Sequence, residues 1–407
     1  MNCRHCKTSL QHTFLDLGFA PPSNAYLTKD SLCKPELYFP LKVNVCHNCW
    51  LVQTEDYTEA RELFTSDYAY FSSTSTGWLD HAKNYVDKII NELGLSTQSR
   101  VIEVACNDGY LLKNFLNAGI PCLGIEPTES TASVAEELGI PVIKEFFGEI
   151  LGAQLEAEGK GADLIIGNNV YAHVPNINDF TRGLKRALNK SGTITLEFPH
   201  LMRLVENVQF DTIYHEHFSY LSLHTVNTIF STVGLRIWKV EELTTHGGSL
   251  RIYACHHFDS KENEPSVDLI LNEEIKQGIL QVETYLNFQA RADKIKDNLL
   301  SFLIEQKKHG KTVFAYGAAA KGNTLLNYAG VRPDLIPVVF DAAKSKQGKY
   351  MPGSHIPILP SESLADLLPD CLLILPWNIA DEIKNENIAL AEKGTKFVTA
   401  VPKLAFS

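Results

Sequence analysis

From residue 100 onward, short apolar runs alternate with amphipathic stretches, the rhythm of strands buried on both faces and the helices that cover them. Strands are expected at 101–105, 122–125, 164–167 and 193–198, with helices over 110–118, 129–138 and 179–188. This alternation predicts a doubly wound α/β domain. Ser222 offers the hydroxyl of an N-cap for a helix reaching about Thr232, and 236–240 with 249–254 read as late strands, an antiparallel pair. Between 262 and 309, Glu, Lys, Gln and Leu recur with helical period and almost no Gly or Pro, which predicts a long helical connector. A second α/β unit follows, with strands at 312–316, 336–340, 372–375 and 396–400 and a helix over 323–328.

The first sixty residues follow neither rhythm. They carry two CxxC pairs, Cys3/Cys6 and Cys46/Cys49, separated by a loop with Pro21 and Pro22. Each CxxC turn offers two thiolates at a bite that Zn²⁺ accepts, and four thiolates leave no position for a reacting water, so the expected metal is structural. His5 and His47 could substitute as ligands, but the complete cysteine set makes them unnecessary. Cys33, Cys106, Cys122, Cys255 and Cys371 lack such spacing and are expected in the core. The expected plan is a zinc module (1–66), a central α/β domain (67–260), the connector (261–310) and a smaller Rossmann-like α/β domain (311–407).

A chain of 407 residues with 44% hydrophobic content can support several such cores. Its net charge of -11 argues against nucleic acid as a partner, while leaving room for a local basic pocket. The N-terminus lacks the apolar centre of a signal peptide and no stretch suits a membrane span, so a cytoplasmic protein is expected.

Chemistry concentrates at the carboxyl ends of the central strands. The first strand leads into Glu103-Val-Ala-Cys-Asn107-Asp108-Gly109 and the second ends at Glu126. A tight turn at a helix start, with an acid ending the second strand to hold ribose hydroxyls, serves NAD and S-adenosylmethionine alike. GxGxxG is absent and the turn is acidic, which favours a sulfonium over a pyrophosphate. The fourth strand ends in Asn168, Asn169 and, shortly after, His173. The run FDTIYHEHFSY follows the fifth and sets Tyr214, His215, Glu216 and His217 side by side, groups able to pass a proton at neutral pH. An HxH metal site there is the weaker alternative. Two later clusters suit an anion such as a diphosphate: His246, Ser249 and Arg251 in THGGSLR, and Tyr316, Lys321 and Asn323 in YGAAAKGN.

Together with FTSDYAYFSSTSTGWLDHA, GIEP, NNVYAHV and KQGKYMPGSHIPI, and in this order along nearly the whole chain, these motifs resemble the sugar C-methyltransferases acting on nucleotide-linked 4-keto-deoxy sugars. The resemblance implies structural Zn²⁺, a central S-adenosylmethionine domain and a C-terminal domain that helps hold the nucleotide sugar. It matches Tyr68, His173, Tyr214, Glu216 and His217 to the active site, with His217 as base and His215 in support, and Glu126 to the ribose-binding acid. The implied substrate is a small-molecule nucleotide sugar, dTDP-linked first, CDP- or GDP-linked otherwise, methylated at C3 or C5. An NAD-dependent sugar oxidoreductase or epimerase, or a zinc-ribbon binding protein, are the competing readings.

Overall fold

The computed structural model describes residues 1–55, 57, 72–74 and 76–407. The N-terminal segment builds three antiparallel strands, β1 (His12–Ala20), β2 (Phe39–Val45) and β3 (Val52–Thr54). The parallel core of the central sheet comprises β4 (Val101–Val104), β5 (Cys122–Ile125), β6 (Val142–Ile143), β7 (Ala162–Asn168) and β8 (Leu188–Pro199). Next, β9 (Ser219–Tyr220) leaves this sheet to pair with β3. The strands β10 (Leu235–Leu243) and β11 (Ser249–His256) complete the central sheet in the order β10-β11-β8-β7-β4-β5-β6, with β11 antiparallel to both neighbours.

Alternation explains the central strands. Ile102, Val104 and Ile165 point into one apolar layer, while Val101, Leu164 and Ile166 point into the opposite one, so neither face is wet. Of the expected helices, Leu112–Asn117, Glu129–Glu137 and Ile177–Ala187 form, as does Leu223–Thr232, where Ser222 Oγ accepts from Thr225 N at 3.1 Å. The helix Glu149–Ala157 and the two-residue strand β6 were not among the expected elements. This helix crosses Ile177–Ala187 with Gly152 and Gly183 backbone to backbone: a Cβ on Gly152 would come within 2.8 Å of Gly183 Cα.

The connector is built of three helices, Pro265–Lys276, Val282–Leu286 and Phe288–Lys308. Gly278, at φ 77°, ends the first, which no helical side chain would permit. It is no loose tether, because Phe14 of β1 packs on Phe288 and Tyr285 at ring distances of 4.4 and 5.5 Å. The last sheet contains β12 (Val313–Tyr316), β13 (Val339–Asp341), β14 (Ile358–Pro360), β15 (Cys371–Ile374), β16 (Lys396–Thr399) and β17 (Ala405–Phe406) in the order β14-β13-β12-β15-β16-β17, parallel except for β17. One continuous apolar cluster runs from Phe14, Leu15 and Val43 through Phe288 and Leu299 to Val313 and Leu373, joining both ends of the chain. Of the cysteines expected in the core, Cys33 is instead exposed, lying on a short 3₁₀ turn with no buried residue.

Because no atom separates the two helices at their crossing, Gly183→Ala should destabilise the chain by about 1–3 kcal/mol, read as a lower denaturant midpoint. An unchanged midpoint would show that the crossing can open.

Candidate active site and metal centre

The four cysteines converge. All four sulfurs lie within 4.8 Å of one another, with Cys3–Cys49 and Cys6–Cys46 each at 3.5 Å. Tetrahedral Zn–S bonds of about 2.3 Å imply edges of roughly 3.8 Å, so the donor set fits Zn²⁺ closely. Gln53 Nε2 donates to Cys3 Sγ at 3.3 Å, an outer contact that steadies the thiolate. His5 is committed elsewhere, its Nδ1 lying 2.7 Å from Asn178 Oδ1. Between the first two ligands, Arg4 reaches outward: Nη1 donates to Pro175 O at 3.0 Å, Nη2 to Thr54 O at 2.9 Å, and the guanidinium lies 5.4 Å above the Phe218 ring. The zinc knuckle thus touches the segments on either side of the central histidines.

A cavity of about 860 Å³ opens at the carboxyl ends of β4, β5, β7 and β8, bordered by Asn107, Glu126, Asn168, His173, Tyr214, His217, His246 and Lys321, and by Asn24 of the zinc module. At one end, Glu126 Oε2 accepts from Asn107 N at 3.0 Å and Oε1 from Thr128 N at 2.9 Å. Burial raises its pKa, and the carboxyl borders the cavity at the end of β5, the place of a ribose-binding acid in a doubly wound sheet. Trp78 and Phe146 add apolar wall. Ala105, Asn107, Asn169 and His246 all border this space with left-handed φ of 58°, 50°, 54° and 55°, strain of the sort that accumulates at functional sites. Gly109 shapes the turn without reaching the cavity, since a Cβ there would lie 2.6 Å from Ile140 Cδ1. Glu103 also stays out: it is fully buried under the turn, neither oxygen has a partner among the described residues, and burial holds its pKa well above the usual range.

At the other end, the reactive run forms neither a strand nor a helix at its centre but a turn, His217 N bonding Tyr214 O at 3.0 Å. Phe218 N is held by Ala172 O and Thr54 N by Phe218 O, which ties the turn to the His173 segment and to β3. The Tyr214 and His217 rings lie 4.0 Å apart, and His173 stands edge-on to His217 at 4.6 Å. His217 Nδ1 lies 2.9 Å from Thr212 O, which can only accept, so Nδ1 carries the proton and Nε2 the lone pair. Burial, then His173, drives the His217 pKa well below 6.5; burial takes His173 to about 4. Glu216 points away from the cavity, with Oε1 accepting from Asn24 Nδ2 at 3.1 Å and burial raising its pKa. His215 faces Phe39 of β2. Tyr68 lies outside the described residues.

Of the two expected anion clusters, His246 and Lys321 reach the cavity and four residues do not. Arg251 Nη2 donates to Glu197 Oε2 at 2.6 Å inside the sheet, Ser249 Oγ donates to Thr245 O at 2.9 Å, and Asn323 Nδ2 donates to Ser23 O at 2.6 Å. Tyr316 packs in the apolar layer of the last domain. Lys321 Nζ donates to Asn378 Oδ1 at 2.6 Å and sits 4.8 Å over the Trp377 ring, with burial lowering its pKa. Trp377 Nε1 donates to Asp211 Oδ2 at 2.7 Å, and burial pushes Asp211 to about 6. Asp211 and Trp78 fall inside quoted motifs and were open to discovery. Lys346 opens the KQGKYMPGSHIPI motif, whereas Asn24 and Asn378 reach the cavity only through the meeting of domains, and no local signal marks them.

A doubly wound sheet with a reversed strand inserted near one edge, an acid ending its second strand and a tetrathiolate module define a zinc-containing, S-adenosylmethionine-dependent methyltransferase. Three family models match in sequence: a zinc binding domain over residues 3–64, a methyltransferase domain over 78–240 and a C-methyltransferase C-terminal domain over 244–402. The C-methyltransferase NovU of Streptomyces niveus is 34% identical over 401 residues, 98% of this chain and 95% of that protein. The chain belongs to the C-methyltransferases: it is an enzyme that transfers a methyl group from S-adenosylmethionine to carbon. Solved structures similar to part of it include magnesium protoporphyrin IX methyltransferase from Synechocystis, 17% identical over 44% of this chain and 84% of that one with a TM-score of 0.36. An S-adenosylmethionine-dependent methyltransferase from Clostridium acetobutylicum is 11% identical over 44% of this chain and 92% of that one, also with a TM-score of 0.36. Among the described residues no helix is long and apolar enough to cross a membrane.

Cys3→Ser should release zinc, measured by elemental analysis, and lower the melting temperature, because Cys3, Cys46 and Cys49 belong to the same apolar cluster as the central sheet. A variant that loses its metal yet melts unchanged would exclude a structural role for the ion.

Proposed function

We propose that the substrate is a nucleotide-linked 4-keto-deoxy sugar and that the methyl is added at C3 or C5, next to the ketone. The observation that carries this reading is the His217 tautomer: a neutral imidazole whose Nδ1 is committed to Thr212 O and whose Nε2 is the acceptor, in a cavity shared with Glu126. A ketone acidifies the neighbouring C–H, and a positioned base of this kind can take its proton. The domain plan of 1–66, 67–260, 261–310 and 311–407 belongs to the same proposal, with the last domain helping to hold the nucleotide diphosphate through Lys321.

When bound, S-adenosylmethionine supplies an electrophilic methyl on a sulfonium that leaves as a neutral thioether. Glu126 would hold its ribose, and Asn107 and Asn168 would border the rest. His217 Nε2 takes the proton from the sugar carbon, and the electron pair of the broken C–H bond moves onto the ketone oxygen as an enolate. Tyr214, which flanks His217, can donate to that oxygen, whereas the one N–H of neutral, buried His173 is given to the Glu216 carbonyl. Glu216 orders the turn through Asn24, and Tyr68 would help orient the sugar. The carbanion carbon then forms the new bond to the methyl, and the proton departs from His217 to solvent.

His217→Asn should reduce both methylation and exchange of the α-proton with deuterated solvent by about 10²–10⁴-fold. Retained exchange would remove His217 from the role of base. Incubation with labelled methyl donor and a panel of dTDP-, CDP- and GDP-4-keto-6-deoxy sugars tests the substrate class, and methyl transfer to oxygen or nitrogen would contradict it. The pH dependence follows from the sign of the shift. Burial holds the folded-state pKa of His217 below 6.5, so the base stays neutral as the pH falls through 6.5. The acid limb of kcat/KM should therefore begin below pH 6.5, and a limb at or above that value would argue for another base.

A further inference from the structure

The loop after β1 leaves the zinc module and lodges between the reactive run and the C-terminal domain. Ser23 O accepts from Asn323 Nδ2 at 2.6 Å, Tyr26 donates its hydroxyl to Ala318 O at 2.5 Å, and Ser23 Oγ lies 3.5 Å from Thr324 Oγ1, which donates to Ile213 O at 2.8 Å. At this pinned point Asn24 borders the cavity. Its Nδ2 donates to Glu216 Oε1 at 3.1 Å, and its backbone N–H donates to the same carboxylate. A carboxylate that collects N–H donors turns the NH₂ edge of the amide toward itself. The acceptor Oδ1 is therefore the free edge of the carboxamide, and no described residue donates to it.

We propose that Asn24 is a specificity residue: Oδ1 accepts a hydrogen bond from a ring hydroxyl or amino group of the substrate, with Glu216 fixing the amide so that only a donor is recognised. This rests on the sugar reading above. It gives the zinc module a direct part in substrate choice and assigns Glu216 a positioning role through Asn24. The amide cannot rotate to greet an acceptor without breaking its bond to Glu216, so a sugar lacking the donor leaves an acceptor unpaired against the cavity wall.

Equilibrium binding tests this on the full chain loaded with S-adenosylhomocysteine, using a 4-keto-6-deoxy sugar nucleotide and its 2-deoxy and 3-deoxy counterparts. In the unaltered enzyme, loss of the hydroxyl that Asn24 reads should raise Kd about 10- to 100-fold. In Asn24→Ala the parent sugar should bind as weakly as that deoxy sugar, and the two should no longer be told apart. S-adenosylhomocysteine affinity equal to that of the unaltered enzyme certifies a folded variant. Asn24→Ser, whose hydroxyl is too short to replace the amide, is held to the same criterion if the alanine variant loses that affinity. Discrimination that survives the substitution, equal weakening of all three sugars, or an unaltered enzyme that treats them alike each overturns the Asn24 assignment while leaving the sugar reading intact. Failure of every sugar to bind the unaltered enzyme overturns the sugar reading itself.

Discussion

Val52 and Gln53 pair with Tyr220 and Ser219, so the zinc module's sheet is closed by a strand that belongs, in sequence, to the methyltransferase domain. The position of His217 depends on this short ladder. The run around it has almost no regular structure of its own, and a turn of that kind keeps one shape only if its backbone groups are claimed from outside. Thr54 claims the Phe218 carbonyl on one side, Ala172 claims the Phe218 amide on the other, and Arg4 braces both flanks from the zinc knuckle. The metal does no chemistry, yet the rigidity it lends reaches the imidazole through a handful of backbone bonds.

The same enclosure sets the electrostatics. Burial lowers the pKa of His173, His217 and His246 and of Lys321, and raises those of Asp211, Glu126 and Glu216. All these shifts favour neutral side chains, so the walls of the cavity carry little charge of their own before any proton moves. Glu197 shows the contrast nearby. Burial alone would raise its pKa, but His81 and Arg251 outweigh it and hold the carboxyl near 2 as a permanently ionised strut of the sheet.

Much of this was legible in the chain. Short continuous apolar runs in β4 and β7, and the hydroxyl of Ser222 ahead of an apolar helix, are local properties, and they forecast their elements to within a residue or two. The four cysteines and the His217 run were equally plain, because soft ligands at CxxC spacing and neighbouring proton carriers are costly to bury for packing alone. What escaped was relational. Arg251 and Ser249 look like an anion site as a string, but they lie on β11 against β8, where Glu197 awaits the guanidinium. Asn323 resembles part of a phosphate turn until Ser23, three hundred positions earlier, takes its amide. The helical connector expected after residue 262 forms, and the point where it breaks is Gly278, whose left-handed φ ends its first helix.

The apolar cluster that joins Phe14, Leu15 and Val43 to Phe288, Leu299 and Val313 bears on how the chain matures. On a ribosome adding about 5–20 residues per second, the first strand emerges on the order of tens of seconds before the helix that covers it. Through that interval the N-terminal sheet exposes its greasy face, held by its own strand ladders and by the thiolates with any zinc already captured. Early metal loading would then act as a folding checkpoint during synthesis, keeping the nascent strands in register until the far end of the polypeptide arrives to bury them.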